Sequence, residues 1–378
     1  MISKQELRRK IARPLVNYPG WRTSRKIVVI ESDDWGSIRM PSKTVYDILL
    51  KKGIKVDISL YNQLDALADQ QDLTLLFDIL SSVKDKNGNH TIITANSVVA
   101  NPDFKRIKDS DYQTYFYEPF TETLKREKRT ENAFELWQEG MSARIFHPQF
   151  HGREHLNVAR WMRDLKEGLQ DTRISFEYGF FGLGPEDSLF LKNNYMAAMD
   201  YDSIEDQNAK FEVVETGLQL FEKIFGYQSR SYIATNYIWG NELNEVLNRN
   251  GVLFFQGQKK QGHPRVENSR KYIRRVLGEK NEFGQTYLIR NCTFEPSQFP
   301  NIDSVDLCLH DIQSAFLWYK PAIISSHRIN FMGGIIPANR DHTLKKLGRL
   351  LQKIVQKWPD VEFMSSDDLG NLISDRNQ

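Results

Sequence analysis

The sequence predicts an α/β fold, a distorted (β/α)7-8 barrel built as a single domain with an insertion after the second strand. Three observations lead there. Short β-branched runs alternate with helical periodicities through nearly the whole chain. Residues able to do chemistry stand directly after several of those runs, as catalytic groups do at the carboxyl ends of barrel strands. No glycine-rich phosphate loop or dinucleotide fingerprint follows any run, which argues against a nucleotide-binding open sheet.

The expected strands are, in order, Lys26–Ser32, His90–Asn96, Ala143–Pro148, Asn194–Tyr201, Ser231–Tyr237, Val252–Gln258, Thr286–Cys292, Pro321–His327 and Val361–Ser366. Between them, Thr44–Gly53, Leu73–Lys84, Leu156–Leu169, Val214–Gly226, Glu242–Gly251 and Asp341–Trp358 carry helical spacing, several ending in the Gly or Asn that stops a helix. The stretch from about 101 to 140, rich in Tyr, Phe, Lys and Glu, reads as an insertion between the second and third strands. Domain organisation is then a basic segment over 1–25 and a barrel over 26–378.

Composition is that of an ordinary globular chain of 378 residues with net charge +2, which does not call for nucleic acid as a partner. Two local runs are basic: the first 26 residues hold eight Lys or Arg against Glu6, and Lys259–Arg275 holds seven against Glu267. They read as solvated surface or as a face for an anionic glycan, a lipid phosphate or a membrane. No apolar run of about 18 residues and no signal-peptide core occurs, so no transmembrane segment and a cytoplasmic location are expected. Cys292 and Cys308 are expected as buried small residues, not ligands.

Three motifs carry the candidate chemistry. HPQFHGREH, from His147 to His155, places three of the chain's eight histidines in nine residues. His147 and His151 are spaced i, i+4, so with Pro148 in a first helical turn both imidazoles would reach one ion. A second parse starts at His151: H-x-x-E-H, the inverted zincin pattern with Glu154 as base. That pattern belongs inside a continuous helix, which Pro148 and Gly152 oppose. IESDDWGS sets Asp33 beside Asp34 after a strand; two neighbours in a strand point apart, so both serve one site only if the chain turns, which Gly36 permits. A turn-capping pair is the bland alternative. PAIISSH ends on His327, equally readable as a core histidine.

In this order, each after a strand, the three motifs resemble those of the polysaccharide deacetylase family, the NodB-like carbohydrate esterases, over roughly Lys26 to Ile373. The resemblance implies that Asp33 is the general base, that Asp34, His147 and His151 hold a divalent metal, and that His327 is the general acid. Zinc is the first choice, and nickel and cobalt accept the same ligands. It further implies a hydrolase that removes an N-acetyl group from a sugar. The partner is then a carbohydrate, with anionic and lipid-linked forms both open. Trp35 and Trp239, each in a candidate active-site turn, are the expected sugar-stacking rings, and Asn96 and Asn236 the expected polar substrate contacts. Where the family carries an Arg and a Pro-rich turn after its fifth strand, this chain has Asn236, Tyr237, Trp239 and Gly240. Two other readings remain: a glycosidase with Asp33 as nucleophile and Asp202 or Glu295 as acid, and a glycan-binding protein without turnover.

Overall fold

The computed structural model describes residues 14–126, 128–187, 194–266 and 269–375. Most of the expected basic segment, residues 1–13, lies outside them. The strands are β1 (Ile27–Trp35), β2 (Ile93–Ser97), β3 (Ala100–Pro102), β4 (Tyr117–Pro119), β5 (Phe146–Phe150), β6 (Ser231–Tyr232), β7 (Phe254–Gly257), β8 (Lys260–Arg265), β9 (Ser269–Arg274), β10 (Thr286–Ile289), β11 (Cys292–Thr293), β12 (Ala322–His327) and β13 (Glu362–Met364). Nine form one parallel sheet in the order β10-β7-β6-β5-β2-β1-β12-β11, with β13 wedged against the first half of β1.

The sheet is curled into a barrel, and its chain path shows why. Its two ends, β10 and β11, are joined by only Arg290 and Asn291, a span of about 10 Å at most. Successive amides stitch the seam: Arg290 N donates to Gly257 O on β7 and Asn291 N to Ile323 O on β12, both within 3.1 Å. The run Thr286–Cys292, expected as one strand, is therefore two, broken where the barrel closes. All nine residues of β1 are buried, as a strand covered on both faces must be, and their apolar members join the main core.

The expected strand Asn194–Tyr201 is not one. Its backbone turns, and its polar groups are met by side chains in place of a ladder: Asn157 Nδ2 donates to Ala197 O and Asp200 O, and Ala198 N donates to Thr235 Oγ1. Between β2 and β5 lie the antiparallel β3–β4 pair and three helices, the last of which, Ala133–Ser142, packs on β5 and on the helix Gln70–Ser81. A second apolar core, built on Trp161, Phe176, Phe181 and Tyr195 with Met40 and Ile107, supports the loops on one side of the barrel mouth. Among the described residues no helix is long and apolar enough to cross a membrane.

Candidate functional site

The carboxyl ends of the barrel strands surround a cavity of about 360 Å3, within the range of small-ligand sites. Asp33, Asp34, His151, His155 and His327 line it, with Arg39, Tyr61, Asn236 and Tyr237.

The neighbouring aspartates both face it because β1 is irregular there. Ser32 pairs with Ala95 of β2, but Trp35 pairs with Ser97, so β1 carries one extra residue at Asp33–Asp34. Asp34 takes a left-handed backbone, φ 74°, which turns its side chain to the same side as its neighbour's. The expected turn exists, but Asp34 itself makes it and Gly36, φ 81°, follows. A Cβ on Gly36 would stand 2.5 Å from Val98 O, so glycine is required.

Asp34, His151 and His155 offer three ligand atoms within 4.8 Å of one another, all buried. His155 Nε2 lies 3.2 Å and His151 Nε2 3.4 Å from Asp34 Oδ1. His147 is not among them, and this corrects the expected pair. His147 lies within β5, in register with Thr94, so four residues of strand separate it from His151 by about 13 Å. Its Nε2 meets Asp367 Oδ2 and Gln149 Nε2, each at 2.9 Å. Pro148 is tolerated in that strand because β6 meets β5 only at Phe150↔Tyr232, and the Tyr227 hydroxyl donates to Pro148 O in the space left. The i, i+4 pair that stands beside Asp34 is one histidine later, His151 with His155. It does not sit in a helix either: residues 151–157 are irregular, with Gly152 at φ 117°. Glu154, base of the inverted zincin parse, faces away, accepting from Arg153 Nε at 2.7 Å and the Tyr115 hydroxyl at 3.0 Å.

These donors fit a cation. His151 Nδ1 lies 2.9 Å from Ile233 O, so it carries the ring hydrogen and leaves the Nε2 lone pair facing a carboxylate oxygen. Two acceptors facing each other need a proton or a metal between them. Burial, against the pull of Asp34, keeps the His155 pKa down and favours the neutral, ligating form. Although burial pushes the Asp34 carboxyl up, His155 and His151 hold it well below the usual range, so it is an anion.

Asp33 is held apart for another task. Arg290, at the barrel seam, donates from Nη1 to Asp33 Oδ2 at 2.7 Å and from Nη2 to Oδ1 at 2.6 Å, while its Nε reaches Glu31 Oε2 at 2.6 Å. Burial raises the Asp33 pKa, but Arg290, with His327 and His151, more than offsets it and brings it to about 2. Asn96 is not a substrate contact: fully buried, it donates to Asp33 Oδ1 at 2.7 Å from behind. Parallel pairing sets His327 beside Asp33, with His327 Nε2 3.7 Å from Asp33 Oδ2. Glu295 Oε1 takes His327 Nδ1 at 2.5 Å, and Asn330 and Gln298 donate to Glu295 Oε2. Burial alone would lower the His327 pKa; Glu295, then Asp33 and Asp34, raise it well above the usual value.

Both expected sugar-stacking rings are core residues. Trp35 is fully buried against Phe146 and Trp137, its Nε1 on Ser32 Oγ, and Trp239 is stacked on Phe255. Asn236 does line the cavity, on a turn where it and Tyr237 have φ 56° and 57°. Sequence reasoning paired His151 with His155 only in the H-x-x-E-H parse, without Asp34, and did not find Arg290 or the tie from Glu295 to His327. The signal for Arg290 was present: a cation directly after the apolar run TYLI, the rule that drew attention to His327. Asp202, one acid of the glycosidase reading, is gripped by Arg160 and does not line the cavity.

No family model matches the chain, and no curated protein does. Solved structures are similar to it at low identity. A 4-α-glucanotransferase from Thermococcus litoralis has TM-score 0.45 at 10% identity over 91% of this chain, which spans 40% of that protein's length. The allantoinase PuuE has TM-score 0.44 at 11% identity over 94% of this chain and 92% of its own. A family 4 carbohydrate esterase from Streptomyces lividans, solved with acetate, has TM-score 0.36 at 11% identity over 89% and 91%. The function is argued below from the side chains of the site.

Proposed function

We propose that this chain is a hydrolase that removes an N-acetyl group from a sugar or a polysaccharide precursor, with a divalent cation at Asp34, His151 and His155. The observation that supports it is the convergence on one cavity of three ligand atoms, a carboxylate held ionised by Arg290, and an imidazole held protonated by Glu295. When bound, such a cation acidifies a water and polarises a carbonyl, and its Asp-His-His set suits zinc first, nickel or cobalt next. Asp33, an anion at working pH, accepts the proton the attacking water gives up. His327 Nε2 donates a proton to the amide nitrogen as the C–N bond breaks, so acetate and a free amine leave. Base and acid are thus different residues, poised by different partners. Carbohydrates carrying an anionic or lipid-linked group belong to the same reading.

The test is metal analysis with acetate release from N-acetylated sugars, for wild type beside Asp33→Asn. One equivalent of transition metal in both proteins, with kcat about 10^2 to 10^4-fold lower in the variant, is the expected result. Metal binding without turnover on any acetylated sugar would reject the deacetylase and favour a glycan-binding protein.

A further inference from the structure

We propose a second ligand site on the side of the barrel: a cleft that binds a phosphoester anion, a mono- or diphosphate attached to an apolar group. The cleft, about 280 Å3 in volume, lies where the foot of the β8–β9 hairpin meets the segment before β1. Lys259, Lys260, Arg274 and Arg275 line it, and among the described residues no carboxylate does. It shares no lining residue with the cavity of the candidate site, so the inference does not depend on the deacetylase reading.

The backbone forces these cations together. Lys260 stands opposite Arg274 in the antiparallel register, and Arg275 N donates to Lys259 O at 3.0 Å, so two like-charged pairs face each other across the hairpin's mouth. Like charges directly opposite on paired strands destabilise the pairing unless something neutralises them. Arg275 has its own partners: Glu279 at 3.0 Å, with Gln261 and Asn241 on its other nitrogens. Glu279 is spent on that contact and on the Val276 amide. Lys259, Lys260 and Arg274 form no ion pair with the described residues. Elsewhere on the same hairpin the chain does neutralise a cation, pairing Arg270 with Asp200 at 2.5 Å.

Ammonium groups and a guanidinium fork around one concavity match the several oxygens and the double charge of a phosphate better than a single carboxylate. The rest of the lining is apolar, including Val16, Pro19 and Leu277, and Tyr18 beside it is 64% exposed. An apolar group carried on the phosphate would cover that surface. The cluster takes up four of the seven cations in the basic run Lys259–Arg275, which the candidate site does not use.

The test measures the full chain by calorimetry with inorganic pyrophosphate, and by co-sedimentation with phosphatidylcholine vesicles with or without phosphatidic acid. Lys259→Glu and Arg274→Glu are compared with Lys271→Glu, which makes the same charge change on the hairpin outside the cleft. Thermal melting confirms that each variant folds. Pyrophosphate binding that falls about tenfold with either cleft variant, and stays within about twofold with Lys271→Glu, supports the site and a soluble ligand. Sedimentation only with phosphatidic acid, lost with the cleft variants and kept with Lys271→Glu, supports it with a lipid headgroup as the source. No binding in either arm, or an equal loss with all three variants, overturns it, the latter showing net charge alone at work.

Discussion

His147 and His151 stand four residues apart at the two ends of β5, each with its Nε2 against an aspartate, and they behave as different groups. His147 is 29% exposed, lies 2.9 Å from Asp367 and has Gln149 on the same nitrogen. His151 is 3% exposed, farther from its aspartate at 3.4 Å, and its other nitrogen is committed to a backbone carbonyl. The shorter contact is the ordinary one, a half-exposed hydrogen bond worth about 1 kcal/mol or less. The longer one leaves a lone pair facing a carboxylate in a buried site, with a second imidazole aimed at the same oxygen. Convergence of unsatisfied lone pairs, more than proximity to an acid, distinguishes a metal site from a structural histidine.

The largest effect expected of that contrast is on metal content. Asp34→Ala and His151→Ala should take bound transition metal from one equivalent to near zero, by elemental analysis, and abolish turnover with it. His147→Ala should keep its metal and lower stability by about 1 kcal/mol or less. Loss of metal with His147→Ala and its retention with Asp34→Ala would reverse the assignment.

Next in size is the seam. Arg290→Met leaves Glu31 and Asp33 buried without their cation, a change that costs about 3–5 kcal/mol in comparable buried pairs. The sign with pH follows from Asp33. Its folded pKa, about 2, is below the unfolded value, so its contribution is present above about pH 4 and fades as pH falls toward 2. Urea denaturation should therefore show a larger defect at pH 7 than at acid pH. A defect independent of pH would mean that Arg290 matters for packing alone.

How much of this was legible beforehand differs between fold and site, and the reason is physical. Alternating runs gave most of the barrel strands, since burial on both faces demands apolar sequence and leaves a pattern; Ile27–Ile30 is the clearest case. Asn194–Tyr201 misled because its apolar residues are buried without a ladder, and burial alone does not distinguish a strand from a packed turn. At the site, Asp33, Asp34 and His327 announced themselves by standing at strand ends. HPQFHGREH contains the i, i+4 spacing twice, and only the backbone decides: the first pair spans an extended strand and the second a loop that folds back. Arg290 and Glu295 arrive from a seam more than 250 residues from Asp33, a juxtaposition set by barrel closure and invisible to local spacing. Trp35 and Trp239 show the converse, since an aromatic near a strand end is as useful to the core as to a sugar.

The smallest effect expected is a displacement of a pH profile, and it tests the acid side of the site separately from the metal side. In the wild type, burial opposes the charge on His327 and Glu295 overcomes it, with Asp33 and Asp34 adding to the pull, so the imidazolium persists well above the usual pH. Glu295→Gln keeps an acceptor near Nδ1 but removes the charge, and burial then acts with less opposition. The high-pH limb of kcat/KM should move to lower pH, while Asp33, already ionised near pH 2, leaves the low-pH side where it was. Stability follows the same sign. A raised folded pKa contributes below the unfolded value of about 6.5 and is lost as pH rises through the folded value, so the variant's deficit should be greatest at mildly acid pH. Metal content should not change, because Glu295 touches His327 and not Asp34, His151 or His155. A profile that keeps its shape and only falls in height would show that Glu295 positions the ring without setting its charge.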